Sequence, residues 1–364
     1  MNNTLILDNE ILAPDLETMN HIFFAAAPFH VICINEIHKR DPSKNFELIL
    51  ILHKKNTLAN MQIYKTLQFF GFEKYTVLYS SHNPIVNYFR NLLFIYKLFN
   101  RSHSKNLIFT MFDFRNSFMH SLRRFFQGSK FILIDDGFST YSSYQRYIIK
   151  GYYLAHDRYL NIRGIFLKWV YFGSHFNYLL RTKIDIFSIY VEDFGVVDKD
   201  YLLNDLRHLR KLVSAISALN FDTNKVFFIG GKLSERGAMS LNDELFCMDW
   251  LNKYWKSKGK TMFYIAKRSS SIKKLDLISK AGIDVLTFDL PLEIALMNEK
   301  ILPGIICAPG STLLKTLPML YDKIECYQIE MTDFFKFEDA IEQAEFIQEF
   351  IKGTNIKTIN INKN

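Results

Sequence analysis

Residues 21–40, HIFFAAAPFHVICINEIHKR, decide the fold class. An uncharged, mostly apolar run, HIFFA, reads as a buried strand, and the small residues up to Ala27 read as a turn. Pro28 then stands where a helix can begin, because the first helical turn leaves its N–H groups unpaired and proline lacks one. From there apolar residues recur at helical spacing and end in the basic cluster HKR, as a helix C-terminus favours. Strand, turn and helix in this order make the repeating half of a parallel α/β sheet.

The same alternation continues outward. FELILILH, YTVLYS, NLIFTMF and FILIDDG read as four further strands, and LANMQIYKTLQFFGF and HNPIVNYFRNLLFIYKLFNR as helices between them. YLNIRGIFLKWVYFGSHFNYLLRT is expected to be helical, aromatic and basic. The pattern restarts with the strand and glycine turn of KVFFIGGKLSE and the helix DELFCMDWLNKYWKSKG. TMFYIAKR, IDVLTFD, PGIICAPGST and KIECYQI read as strands, KKLDLISKAG and PLEIALMNEK as helices, and FEDAIEQAEFIQEFIKG as a closing helix. The expectation is α/β with two Rossmann-like domains, 1–195 and 222–364, joined by a linker at 196–221, the last helix packing back on the first domain. Two such units fit a two-domain glycosyltransferase of the GT-B type, with the active site in the interdomain cleft.

Composition narrows the partners. The chain has 364 residues, 49% hydrophobic and 23% charged, which excludes a disordered chain. A net charge of +8 favours an anionic partner: a nucleotide, an acidic glycan or an anionic membrane surface. The first residues lack the basic and apolar regions of a signal peptide, and no run reaches the length of a membrane span. A cytoplasmic location is expected, with the inner membrane face as a peripheral site. Four cysteines, Cys33, Cys247, Cys307 and Cys326, lie far apart and read as reduced core residues. No RNP-like, zinc-finger or helix-turn-helix pattern supports nucleic acid, and no metal-binding pattern is present. The oligomeric state is left open.

Candidate chemistry falls at strand ends. In FILIDDGFSTYSSY, residues 131–144, Asp135 and Asp136 end a buried run before Gly137. Adjacent acids raise one another's proton affinity, which suits a base that deprotonates an acceptor hydroxyl; the alternative is a helix cap or Asx-turn. Gly230 and Gly231 either admit a nucleotide or make an ordinary turn. Glu293, opening the helix after Pro291, either accepts both ribose hydroxyls or complements the helix dipole. Ser311 and Thr312 form an anion site at a helix N-terminus or cap it. Lys267 and Arg268 hold a phosphate or make a solvated turn. Pro28, Phe29 and Asp113 are expected to shape the acceptor and sugar sites. The helical segments NYFRNLLFIYKLFNR and RGIFLKWVYFGSHFNYLLR either lie on an anionic bilayer or pack in the core with their cations reaching outward.

In their order these pieces resemble the bacterial sialyltransferases of the polysialyl- and lipooligosaccharide-sialyltransferase type, over roughly residues 21 to 330. AAAPFHV is similar to that family's first-strand loop, IDDG to its D/E-D/E-G motif, PLE to its ribose-binding segment, and Ser311-Thr312 to its phosphate-binding pair. The resemblance implies an inverting, metal-independent transfer of sialic acid from CMP-sialic acid to a bacterial surface glycan. Asp135 or Asp136 would then be the base, and Glu293, Ser311 and Thr312 would bind CMP. One departure stands out. Where the family carries His-Pro, this chain has Lys267 and Arg268, and all ten histidines lie at or before His208. Another CMP-activated sugar such as Kdo, or a glycan-binding homologue without activity, are the alternatives.

Overall fold

The computed structural model describes residues 21–42, 45–53, 57–80, 84–101, 107–195, 198, 200–216, 219–268 and 270–363. The chain divides into two compact units. The first is built from β1 (His21–Ala25), α1 (Pro28–Arg40), β2 (Phe46–His53), α2 (Thr57–Phe70), β3 (Thr76–Ser80), α3 (Pro84–Arg101) and β4 (Ile108–Met111). It continues through α4 (Ser117–Phe125), β5 (Lys130–Ile134), α5 (Phe138–Arg146), α6 (Ile162–Phe172), α7 (Phe176–Arg181), β6 (Asp185–Ser188) and β7 (Tyr201–Leu203). All seven strands are parallel, in the order β3-β2-β1-β4-β5-β6-β7. Every residue of β1 is buried, as expected for a central strand covered by helices on both faces.

The second unit comprises α8 (Arg207–Ser214), β8 (Asn220–Ile229), α9 (Leu241–Ser257), β9 (Thr261–Ile265), α10 (Ile272–Lys280), β10 (Asp284–Leu286) and α11 (Leu292–Ala295). It ends with β11 (Ile301–Ala308), α12 (Leu313–Leu320), β12 (Glu325–Glu330), α13 (Glu338–Ile351) and β13 (Lys357–Asn360). Its sheet runs β10-β9-β8-β11-β12-β13, again all parallel. Val226, Phe228, Cys247, Leu251, Trp255 and Tyr264 form the centre of its core. Each sheet starts in its middle, is built to one side, and then crosses to the other. Ligand crevices arise at that reversal, beyond the carboxyl ends of β1 and β4 in one sheet and of β8 and β11 in the other.

The stretch expected as a linker, 196–221, carries structure. It contains β7, which extends the first sheet beside β6, then α8 and the first residues of β8. The chain passes between the units three times, because Ile189–Gly195 belongs to the second. The closing helix, α13, makes the crossover from β12 to β13 within the second unit. The strands β6, β7 and β13 have four residues or fewer, too short for a periodicity of their own. All four cysteines are buried and none is in a disulfide.

Candidate functional site

The two aspartates after β5 part company. Side chains alternate across a strand, so neighbours at a strand end point to opposite faces. Pairing of Ile134 with Phe187 continues to Asp135 beside Ser188, and the Ser188 hydroxyl donates to Asp135 Oδ1 at 2.5 Å. Asp135 is fully buried. Asp136 turns the other way, toward α1, with 34% of its side chain open to solvent. Gly137 follows at φ 65°, ψ −148°, a conformation essentially restricted to glycine, and the chain can then enter α5.

His30 holds Asp136. Its Nδ1 accepts the Ala26 N–H at 3.1 Å, which leaves Nε2 as the protonated nitrogen, donating to Asp136 Oδ1 at 3.1 Å. The ring stacks on Phe112 with centroids 4.5 Å apart. With both nitrogens engaged, His30 cannot itself take a substrate proton. It orients the carboxylate. Ser139 Oγ donates to the Asp136 carbonyl at 2.7 Å, with Asp136 Oδ2 at 3.2 Å as a second acceptor, and the Asp136 N–H donates to Thr140 Oγ1 at 2.9 Å. Burial pushes the Asp136 carboxyl up, but the hydrogen bond from His30, the Ser139 hydroxyl and the Arg115 charge together carry it below its ordinary value. Asp136 is thus lowered, where a raised proton affinity was expected of it. The groups that set Asp136 are His30, Ser139 and Arg115.

Arg115 comes from the turn after β4. There Asp113 adopts a left-handed φ of 51°, and its Oδ1 accepts the Arg115 N–H at 3.1 Å and lies 3.5 Å from Arg115 Nε. Such backbone strain is retained where surroundings impose it, commonly at sites. Asp113 acts here through Arg115. Pro28 opens α1 and is buried, and Phe29 is half-buried beside His30 in the chain. Asp136, His30, Asp113 and Arg115 thus gather beyond the carboxyl ends of β1, β4 and β5.

In the second unit the corresponding end is cationic. The Arg236 N–H donates to the Lys232 carbonyl at 3.0 Å, closing a single turn after β8 that puts Lys232 and Arg236 one turn apart. Lys267 and Arg268 follow β9 next door. Among the carboxylates nearby, Glu235 acts on Lys232 by charge while its own salt bridge goes to Lys274. Desolvation and then Arg236, Lys232, Arg268 and Lys274 lower the Lys267 ammonium. Its side chain is exposed, so desolvation there is partial and repulsion by neighbouring cations is the cause the geometry supports. Lys232 is lowered likewise, by burial and then by Arg236 and Arg268.

The other expected residues are internally engaged. A Cβ on Gly230 would stand 2.3 Å from the Tyr264 hydroxyl, so the glycine makes room for a core tyrosine. The Gly231 carbonyl accepts Lys274 Nζ at 2.9 Å. Glu293 is 5% exposed; Thr316 Oγ1 donates to its Oε1 at 3.0 Å, and burial raises its carboxyl. Ser311 Oγ accepts the Leu313 N–H at 3.3 Å in a turn just before α12, and Thr312, at the N-cap position, makes no side-chain cap bond. Ser311 and Thr312 lie past β11, beside β8, at the cationic end of the sheet. His30 was legible only as a lone histidine. Lys232 and Arg236 carried a weak signal, two cations four apart directly behind a glycine turn.

No family model and no curated protein sequence matches the chain. Solved structures do. A protein described as a UDP-N-acetylglucosamine 2-epimerase from Listeria monocytogenes is similar at 8% identity and TM-score 0.56, over 95% of this chain and 85% of that one. The UDP-GlcNAc 2-epimerase from Methanocaldococcus jannaschii gives 10% and 0.48 over 95% and 89%. The Neisseria meningitidis UDP-GlcNAc 2-epimerase bound to UDP-GlcNAc gives 10% and 0.44 over 92% and 90%. At these identities a likeness speaks for fold alone, and the first of the three carries it: the chain has the two Rossmann-like domains of the GT-B architecture.

Proposed function

We propose that the protein is an inverting glycosyltransferase that takes its sugar from a nucleotide-activated donor, with CMP-sialic acid or a related CMP-sugar as the substrate class and a bacterial surface glycan as acceptor. The observation that carries this reading is the division between the two aspartates. Asp135 is a buried strut, while Asp136 is ionised, half-open and oriented by a histidine. Asp136 Oδ2 takes the proton of the acceptor hydroxyl as that oxygen attacks the anomeric carbon. The bond to the phosphate oxygen breaks, and the departing phosphate keeps the electron pair. Lys267 and Arg268, standing where the resembled family has His-Pro, stabilise that charge without transferring a proton. Lys232, Arg236, Ser311 and Thr312 complete the phosphate site, and Glu293 offers Oε2 to the ribose.

The cluster of four cations also favours a second reading, a nucleoside diphosphate sugar, whose two phosphates would engage more of them. The base is tested first. Asp136→Asn should reduce transfer by about a hundredfold or more while donor binding persists. Asp135→Asn should act mainly through stability. Full turnover in Asp136→Asn removes the base assignment.

A further inference from the structure

The helices α3 and α6 bear apolar side chains on both faces. On α3, Ile95 and Leu98 are buried, as an amphipathic surface helix requires. Its opposite face carries Phe89, Leu93 and Tyr96, at spacings of four and three, with exposures of 64, 55 and 63%. On α6, Ile165, Phe166 and Trp169 are 56, 62 and 76% exposed. Single exposed apolar residues are ordinary, but a stripe shared by neighbouring helices marks an interaction surface. The helices do touch. The Tyr88 hydroxyl donates to the Val170 carbonyl at 3.2 Å, and its ring meets Tyr171 edge-on at 5.0 Å. Both also pack on α4.

Charge identifies what covers this surface. Residues 74–184 contain 16 Lys and Arg but only four Asp and Glu, an excess of 12 in a chain whose net charge is +8. The remainder of the chain is therefore net acidic. Neither α3 nor α6 contains a carboxylate; α3 carries the half-buried Arg90 and the exposed Lys97, and α6 the half-buried Lys168. Aromatic and aliphatic side chains bordered by cations are the composition that enters the headgroup region of an anionic bilayer. Among the described residues no helix is long and apolar enough to cross one. We propose that the outer faces of α3 and α6 together form a docking surface for an anionic lipid bilayer, on which the first unit lies without spanning it. One face of each helix packs in the core, and on this proposal the other meets lipid.

The test is co-sedimentation of the full chain with vesicles of phosphatidylcholine alone and of phosphatidylcholine containing about one-third phosphatidylglycerol. Binding is expected to the anionic vesicles, weakening as salt rises. The double substitution Phe89→Ser/Trp169→Ser should reduce it by about tenfold or more. Lys97→Glu, at an exposed position that disturbs no core contact, should weaken it while leaving the thermal melt unchanged. Three results overturn the proposal: no binding to either vesicle, equal binding to neutral and anionic vesicles, or unaltered binding by the double variant. A dimer in sedimentation velocity that the same double variant dissociates would also overturn it, assigning the face to a second copy of the chain. The assay contains no donor or acceptor, so its outcome is independent of the transferase reading.

Discussion

Two adjacent carboxylates at the end of a buried strand have different fates because a strand sends neighbours to opposite faces. Asp135 meets Ser188 in the ladder, whereas Asp136 meets His30 from α1. The hydrogen bond from His30 helps to hold Asp136 below its ordinary value of 3.8. A depressed carboxyl contributes stability above that value and loses it as pH falls through the folded-state pKa. On the proposed reading the same sign governs activity, since a base works only when ionised. His30→Phe removes the donor, raises the Asp136 pKa and should move the acid limb of the kcat/KM profile to higher pH. His30→Gln, which can present an N–H at a similar place, should move it back. A profile that stays put in His30→Phe would mean that His30 only fills space.

Among the elements, α10 is anchored unusually. Lys274 is fully buried, with Nζ 2.8 Å from Glu235, 3.0 Å from Glu244 and 2.9 Å from the Gly231 carbonyl. Glu235 also accepts the Ser271 N–H at 3.0 Å. One ammonium thus ties the loop after β8 to α9 and α10, and this fixes the turn that presents Lys232 and Arg236. Removing one member of a buried ionic cluster leaves the others unpaired. Lys274→Met should cost about 3–5 kcal/mol in urea unfolding, and pairing it with Glu244→Gln should recover part of that loss. An unchanged unfolding midpoint would show that the cluster contributes no net stability.

At the scale of the whole molecule the proposed function makes the cationic end a nucleotide site. Calorimetric titration with CMP, UDP and GDP separates the readings. Preference for CMP supports a CMP-sugar donor, and preference for UDP or GDP supports the diphosphate reading. In either case Lys267→Ala and Arg236→Ala should each weaken binding by about tenfold, the usual scale of a charge-assisted hydrogen bond, and the weakening should shrink as salt rises. If neither substitution matters, the four cations are not the phosphate site.

The division between sequence and structure follows from range. Local periodicity determined the longer elements: apolar runs such as FELILILH can only be buried strands, and they alternate with helical patterns twice over, which determined two parallel α/β units. The same local reading located residues at strand ends, because a break in an apolar run is visible in the chain itself. The strands β6, β7 and β13 were decided only by their neighbours, since three or four residues gain a strand's identity by pairing. The same holds for the site. Asp136 and His30 are 106 residues apart, and nothing in either segment announces the other. Likewise Gly230 carries no sign in the chain that Tyr264 fills the space beside it. Which aspartate is open, which histidine orients it and which apolar helix face meets solvent depend on long-range packing, and only the tertiary structure decided them.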